Sequence, residues 1–179
     1  MKNLFSILIY KIYLRYLCIN NSVKYARAIG VKVGEKTNFV SLPSFGSEPY
    51  LIRVGNNTNI SSGVSFVTHD GGRWVLDHLY PYEKPFYKFG RITIGNNCFI
   101  GMNTIIMPNV SIADHCVIGA GSVVTKNIPS GQVWAGCPAR YICSIEEYKN
   151  KIQKYKLDID WSSYRNNKER ELKRIFNIK

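Results

Sequence analysis

From Ile94 onward the chain repeats itself every six residues, and this rhythm limits the fold more than any other feature of the sequence. Large aliphatic residues fall at Ile94, Ile100, Ile106, Ile112, Ile118 and Val124. Four residues after each stands a mostly small or β-branched residue: Cys98, Thr104, Val110, Cys116, Ser122 and Ile128. A period of six matches neither a helix nor a simple strand alternation. It suits a coil with three flat faces, each one hexapeptide long. The aliphatic residue then points inward from each face, and the small residue fills a second, tight interior position. Gly-Asn and Asp-His pairs fall at the corners, where a left-handed backbone is tolerated. Three hexapeptides close one coil of 18 residues, Ile94 to Ile112. Stacked coils bury a continuous aliphatic column and pair their strands in parallel.

The rhythm extends upstream with two irregularities. Val33-Gly34-Glu35-Lys36-Thr37 and Val54-Gly55-Asn56-Asn57-Thr58 repeat one phrase 21 residues apart, so one coil carries three extra residues. Ile60 and Phe66 continue the series. It then breaks from about Gly71 to Arg91 and resumes at Ile92. The break reads as a loop thrown out from the column, and loops this long in compact domains are usually functional. The residues do not give the hand of the coil, since parallel crossovers are ordinarily right-handed.

A chain of 179 residues is enough for one domain with terminal extensions. The five cysteines are scattered without CxxC or Cys/His metal spacing, which fits a reduced, cytoplasmic setting. The net charge of +12 favours anionic partners, but the excess lies mainly in the terminal segments. No nucleic-acid-binding motif accompanies it. The apolar N-terminus is interrupted by Lys11 and Arg15, too soon for a transmembrane helix of about 20 residues, and it lacks a signal-peptide cleavage site.

Three phrases resemble the hexapeptide-repeat acyltransferases: FVTHDGGRWV, the repeat from Ile92 to Pro129, and the closing WAGCPARYI. The nearest subgroup comprises galactoside, maltose and xenobiotic acetyltransferases together with polysaccharide O-acetyltransferases. The resemblance spans Gly30 to Arg140. It implies an all-β, left-handed parallel β-helix with an excursion loop, and the segments outside it, 1–29 and 141–179, read as helical extensions. The resemblance carries more than the fold. It also implies a homotrimer with active sites in the clefts between subunits, and acetyl-CoA as the donor, with no metal. His69 matches the catalytic histidine. Met102 matches the residue whose backbone N–H faces the oxyanion. Phe99, Ala120, Thr125, Lys126 and Arg140 match positions that contact the cofactor, from its acyl end to its phosphates. The polar residues that hold the acceptor in galactoside acetyltransferases have no equivalent near Val40 and Ser41, so a different acceptor is expected.

Acetyl transfer from a thioester to a hydroxyl needs a base, an oxyanion donor and in-line alignment. A histidine near its ordinary pKa suits the first role and a fixed backbone N–H the second. No Ser or Cys stands in a nucleophile motif, so direct attack is expected. The second ring nitrogen of His69 needs an orienting partner: Asp70, Glu83, a backbone carbonyl or a group across the trimer interface would serve. Arg73, Trp74, His78, Tyr80 and Tyr82 decorate the excursion and suit either a sugar acceptor or loop packing. The expected function is O-acetylation of a sugar or polysaccharide precursor. Xenobiotic or amino-sugar N-acetylation and a non-catalytic scaffold are the alternatives. A carbonic anhydrase of the same fold would need a close histidine pair, and His69, His78 and His115 do not supply it. The stretch from Leu4 to Tyr16 reads as an apolar helix suited to capping the coil, to packing within the trimer, or to contact with the inner membrane surface. A second helix is expected from Ser144 to Leu157, followed by a basic tail.

Overall fold

The computed structural model describes residues 4–81 and 87–178. The hexapeptides form three parallel sheets, one for each face of a coil. The first face stacks Lys32–Val33, Ile52–Val54, Ile92–Ile94 and Ser111–Ile112. The second stacks Asn38–Phe39, Asn59–Ile60, Phe99–Ile100, Val117–Ile118 and Gln132–Gly136. The third stacks Ser65–Phe66, Ile105–Ile106 and Val123–Val124, with Ser44 bridging to Ser65. Val54 pairs with Ile94 and Ile94 with Ile112, so the aliphatic residues lie directly above one another.

Each coil strand contributes an inward apolar side chain, aliphatic or phenylalanine, and the residue two before it also points inward. Ile60 with Thr58, Ile100 with Cys98, Ile106 with Thr104 and Ile118 with Cys116 are all buried. Buried hydroxyls require partners, and the corners provide them. Thr58 Oγ1 donates to the Gly95 carbonyl at 2.9 Å, Thr104 Oγ1 to Gly101 at 2.7 Å, and Ser122 Oγ to Gly119 at 2.6 Å.

The corners carry the left-handed residues that the repeat anticipates. Three residues after the inward aliphatic, φ is positive at Lys36, Asn57, Asn97, Asn103, Asn109 and His115, and at Gly63 and Gly121. Asparagine tolerates this conformation best among residues with a side chain. The side chain just before the left-handed residue also ties one coil to the next. Asn96 Oδ1 accepts from the Asn56 N–H at 2.8 Å, and Asp114 Oδ1 from the Asn96 N–H at 2.7 Å.

The two irregularities open from the same corner, between the third face and the first. Steps of six lead from Val33 to Phe39 and Phe45, but nine residues separate Phe45 from Val54. The three extra residues form a bulge with a 3-10 turn at Pro49–Leu51. One coil further on, the break that the sequence places at Gly71–Arg91 leaves from this corner. It is not an irregular loop throughout. Arg73–Leu79 forms a helix, α3 in chain order after the two N-terminal helices α1 (Leu4–Asn20) and α2 (Ser22–Ala28). An Arg73–Asp77 pair at 2.9 Å and a His78 Nδ1–H bond to the Trp74 carbonyl at 2.6 Å stabilise that single short stretch from one turn to the next.

The ends of the column are closed differently from the expectation. Leu4–Tyr16 was one candidate cap, yet it is α2 that covers the first coil. Ala26 of α2 is fully buried, and Val23 and Ile29 pack against the core. At the other end, Gln132–Gly136 turns back on Ala139–Ser144 as an antiparallel pair. Residues 146–179 form a separate compact unit. Helix α4 spans Ile145–Gln153, shorter than the sequence pattern suggests, and the tail folds into α5 (Trp161–Asn166) and α6 (Lys168–Ile175). Within that unit, buried Glu171 accepts from Arg174 at 2.6 Å and from the Asp160 N–H at 3.0 Å.

Candidate active site

His69 follows the third-face strand Ser65–Phe66 and stands at the neck of the excursion. The neck is zipped antiparallel: His69 bridges to Phe89, the Asp70 N–H donates to the Lys88 carbonyl at 3.0 Å, and the Gly90 N–H to Thr68 at 2.8 Å. Gly90 has to be glycine, because a Cβ there would lie 2.4 Å from the Asn109 nitrogen of the next coil. The neck therefore sits flat on the column, and His69 inherits the rigidity of the coil.

The orienting partner of His69 is Glu48, which the sequence reading did not consider. Glu48 Oε2 lies 3.0 Å from His69 Nδ1 and accepts the Thr68 hydroxyl at 2.6 Å. The Thr68 hydroxyl first, and the His69 ring second, hold the Glu48 carboxyl below its ordinary pKa. An ionised Glu48 carries no proton, so His69 Nδ1 must be the donor and Nε2 is left as the acceptor. Thr68 is buried, Glu48 is nearly so, and the His69 ring keeps one side toward solvent. Asp70 does not serve this role. It accepts from the Gly72 N–H at 2.9 Å and pairs with Lys88 at 3.7 Å. Glu83 lies outside the described residues.

Glu48 belongs to the three-residue bulge of the first full coil. The 21-residue spacing was the available signal for it: an insertion at one corner, one coil away from the excursion, brings a carboxylate beside the histidine.

A cleft of about 370 Å³ opens at His69, lined also by Val67, Met107, Pro108, Lys88 and Thr125. Thr125 thus shares a corner with His69, and Lys126 follows it, exposed. The other residues matched to the cofactor lie elsewhere on the coil. Phe99 points outward from the second face, and Met102 and Ala120 are exposed at the next corner, between the second and third faces. There the Met102 carbonyl accepts from the Gly121 N–H at 2.7 Å. Arg140 is exposed on the closing hairpin of the second face. Within one chain the candidate residues therefore occupy two corners of the triangle.

Among the acceptor candidates, Arg73 is committed to its neighbours. Its Nε donates to Asp77, and its guanidinium lies 3.9 Å above the Tyr87 ring. Trp74 is 75% exposed, with its ring centroid 5.1 Å from that of His78. Tyr80 is exposed at the end of α3. Tyr82 lies outside the described residues. His115 is exposed at the corner between the first and second faces, a different corner from the neck. Among the described residues no group of three or more His, Cys, Asp or Glu is placed to hold a metal ion.

Comparison with known proteins agrees with this architecture. The family model of the bacterial transferase hexapeptide (six repeats) matches residues 91–126. Protein CapG of Staphylococcus aureus is 50% identical over 144 residues, covering 79% of this chain and 82% of that protein. Galactoside O-acetyltransferase of Escherichia coli (strain K12) is 40% identical over 102 residues, covering 56% of this chain and 47% of that protein. A solved galactoside acetyltransferase in complex with coenzyme A superposes with a TM-score of 0.52 at 27% identity, covering 80% of this chain and 82% of that one. The chain belongs to the hexapeptide-repeat family of bacterial transferases: it is an acyltransferase built on a left-handed parallel β-helix.

Proposed function

We propose that this acyltransferase moves an acetyl group from acetyl-CoA to a hydroxyl of a sugar or polysaccharide precursor, with His69 as general base. The observation that carries the reading is the Thr68–Glu48–His69 chain of hydrogen bonds at the mouth of a cleft. His69 Nε2 takes the proton as the acceptor oxygen attacks the thioester carbonyl. Glu48 steadies the imidazolium that forms, and the same proton then passes to the departing thiolate of coenzyme A. The Met102 N–H stabilises the oxyanion, and such a donor is typically worth about 3 kcal/mol.

The split of the candidate residues over two corners supports a homotrimer. One chain brings His69, Glu48 and Thr125 to a cleft, and its neighbour brings Phe99, Met102 and Ala120. A three-sided column packs around a threefold axis with three equivalent clefts. Lys126 and Arg140 would meet the phosphates of the cofactor. Trp74 offers an open indole face to a sugar ring.

The test is thiol release from acetyl-CoA against a panel of sugars and glycan fragments. Acceptor-dependent release should fall by about 10²–10⁴-fold in His69→Ala, with the oligomer intact by light scattering. An unchanged rate in that variant, or no calorimetric signal for acetyl-CoA with the wild type, would overturn the proposal.

A further inference from the structure

We propose that α1 docks the protein on an anionic phospholipid surface, lying in the plane of the membrane at the boundary between headgroups and acyl chains. This inference is independent of the acetyl-transfer reading.

Helix α1 is apolar around most of its circumference, and its two sides differ in what covers them. One side faces the protein: Leu17 is buried, Leu14 and Cys18 are half-buried, and the Tyr10 hydroxyl donates to the Ala28 carbonyl at 2.9 Å. At 100° per residue the opposite side carries Leu8, Ile12, Tyr16 and Ile19 in a single stripe. These residues are 56%, 61%, 61% and 77% exposed. A monomer gains nothing by presenting such a stripe to water, so something covers it.

Charge identifies the cover. Lys11 and Arg15, four residues apart, flank the stripe along one edge, and both are exposed. Residues 1–40 carry seven Lys and Arg against one Glu, half of the chain's net +12. Lys24 on α2 and Lys32 and Lys36 on the first coil are exposed as well. A second copy placed on the stripe by twofold symmetry would bring this cationic end against itself. An anionic bilayer would neutralise it. Long cationic side chains flanking an apolar stripe can reach up to headgroups while the stripe sinks in. Tyr16, within the stripe, suits the same interface. The helix has 17 residues, and among the described residues no helix is long and apolar enough to cross a membrane. An in-plane arrangement meets both facts.

The experiment is sedimentation of the full chain with vesicles of phosphatidylcholine, with and without about 30% phosphatidylglycerol. The wild type should pellet with the anionic vesicles at low salt and be released as salt rises. Lys11→Gln with Arg15→Gln should weaken partitioning roughly 30-fold, as expected for losing two membrane-facing cations. Leu8→Asp with Ile12→Asp should abolish it. Both substitutions lie on the exposed side of the helix, and an unchanged melting temperature and solution mass would show that the fold persists. A wild type that stays in solution with anionic vesicles would overturn the proposal. So would a stripe variant that still pellets, or one that loses mass in light scattering without any vesicles, which would assign the stripe to another copy of the chain.

Discussion

Ile105 and Ile106 are adjacent, identical in chemistry and share one strand, yet the coil assigns them opposite fates. Ile106 is fully buried in the column, stacked between Phe66 and Val124, whereas Ile105 is 37% exposed on the outer face. Ile106→Ala removes three carbons from the column, about 2.4 kcal/mol at roughly 0.8 kcal/mol each. The ladder holds the coils above and below at fixed spacing, so the void cannot close well. A cavity contribution brings the expected loss to about 3–4 kcal/mol, inside the usual range for buried isoleucine to alanine. Ile105→Ala should cost less than about 1 kcal/mol. Urea unfolding followed by circular dichroism measures both, with an unchanged slope as the check that the transition remains comparable. Equal losses at the two positions, or a larger loss at Ile105, would refute the six-residue register.

Further outcomes follow from the neck and the corners. Glu48→Gln keeps an acceptor for His69 Nδ1 but removes the charge, so kcat should fall about tenfold. Glu48→Ala removes both and should approach the loss seen on removing the base itself; equal activity in all three proteins would remove Glu48 from the site. Because hydrogen bonds depress the Glu48 pKa in the fold, its contribution to stability is complete above the ordinary glutamate value and is lost as pH falls through the lower folded value. The melting-temperature gap between wild type and Glu48→Gln should therefore shrink as the solution is taken from pH about 5 into stronger acid. A gap that widens over that same acid range would contradict the assignment. Gly101→Ala places a Cβ 2.5 Å from the Ala120 nitrogen and 2.7 Å from the Ile118 carbonyl oxygen. Backbone of the next coil cannot yield, so a loss of about 2–3 kcal/mol is expected. Gly71→Ala, with nothing within 4 Å, should be near neutral; similar losses at the two glycines would contradict the stacking.

The column was legible because its rule is local. Every sixth residue from Ile94 to Val124 is aliphatic, and each of them is buried. The left-handed corners at Asn97, Asn103 and His115 could likewise be anticipated from residue type and position. The site was only half legible. His69 stood out through its place beside a break in the rhythm. Glu48 did not, because its nearness to His69 depends on two irregularities stacking at one corner, which no short window displays. The spacing after Phe45 shows three inserted residues, but their number says nothing about where a side chain points. The helix α3 escaped for another reason. Seven residues with no acidic first turn carry a weak local signal, and its stability comes from the Arg73–Asp77 and His78–Trp74 contacts. At the N-terminus the apolar pattern showed a helix but not which of two would cap the coil. Ala26 and Val23 do so because the chain turns at Asn21, whose side chain accepts from the Lys24 N–H at 2.8 Å.

The central claim is that the transfer site is assembled from two corners contributed by neighbouring chains. The direct measurement mixes two inactive proteins, His69→Ala and Ala120→Trp, refolded together at equal amounts and assayed for acceptor-dependent thiol release. Ala120 is exposed at its corner, so a tryptophan there blocks the cleft without entering the core. In random trimers about a quarter of the clefts receive both intact halves, and activity should return to about a quarter of the wild-type value. A mixture as inactive as its components would contradict the shared site and place the whole reaction within one chain.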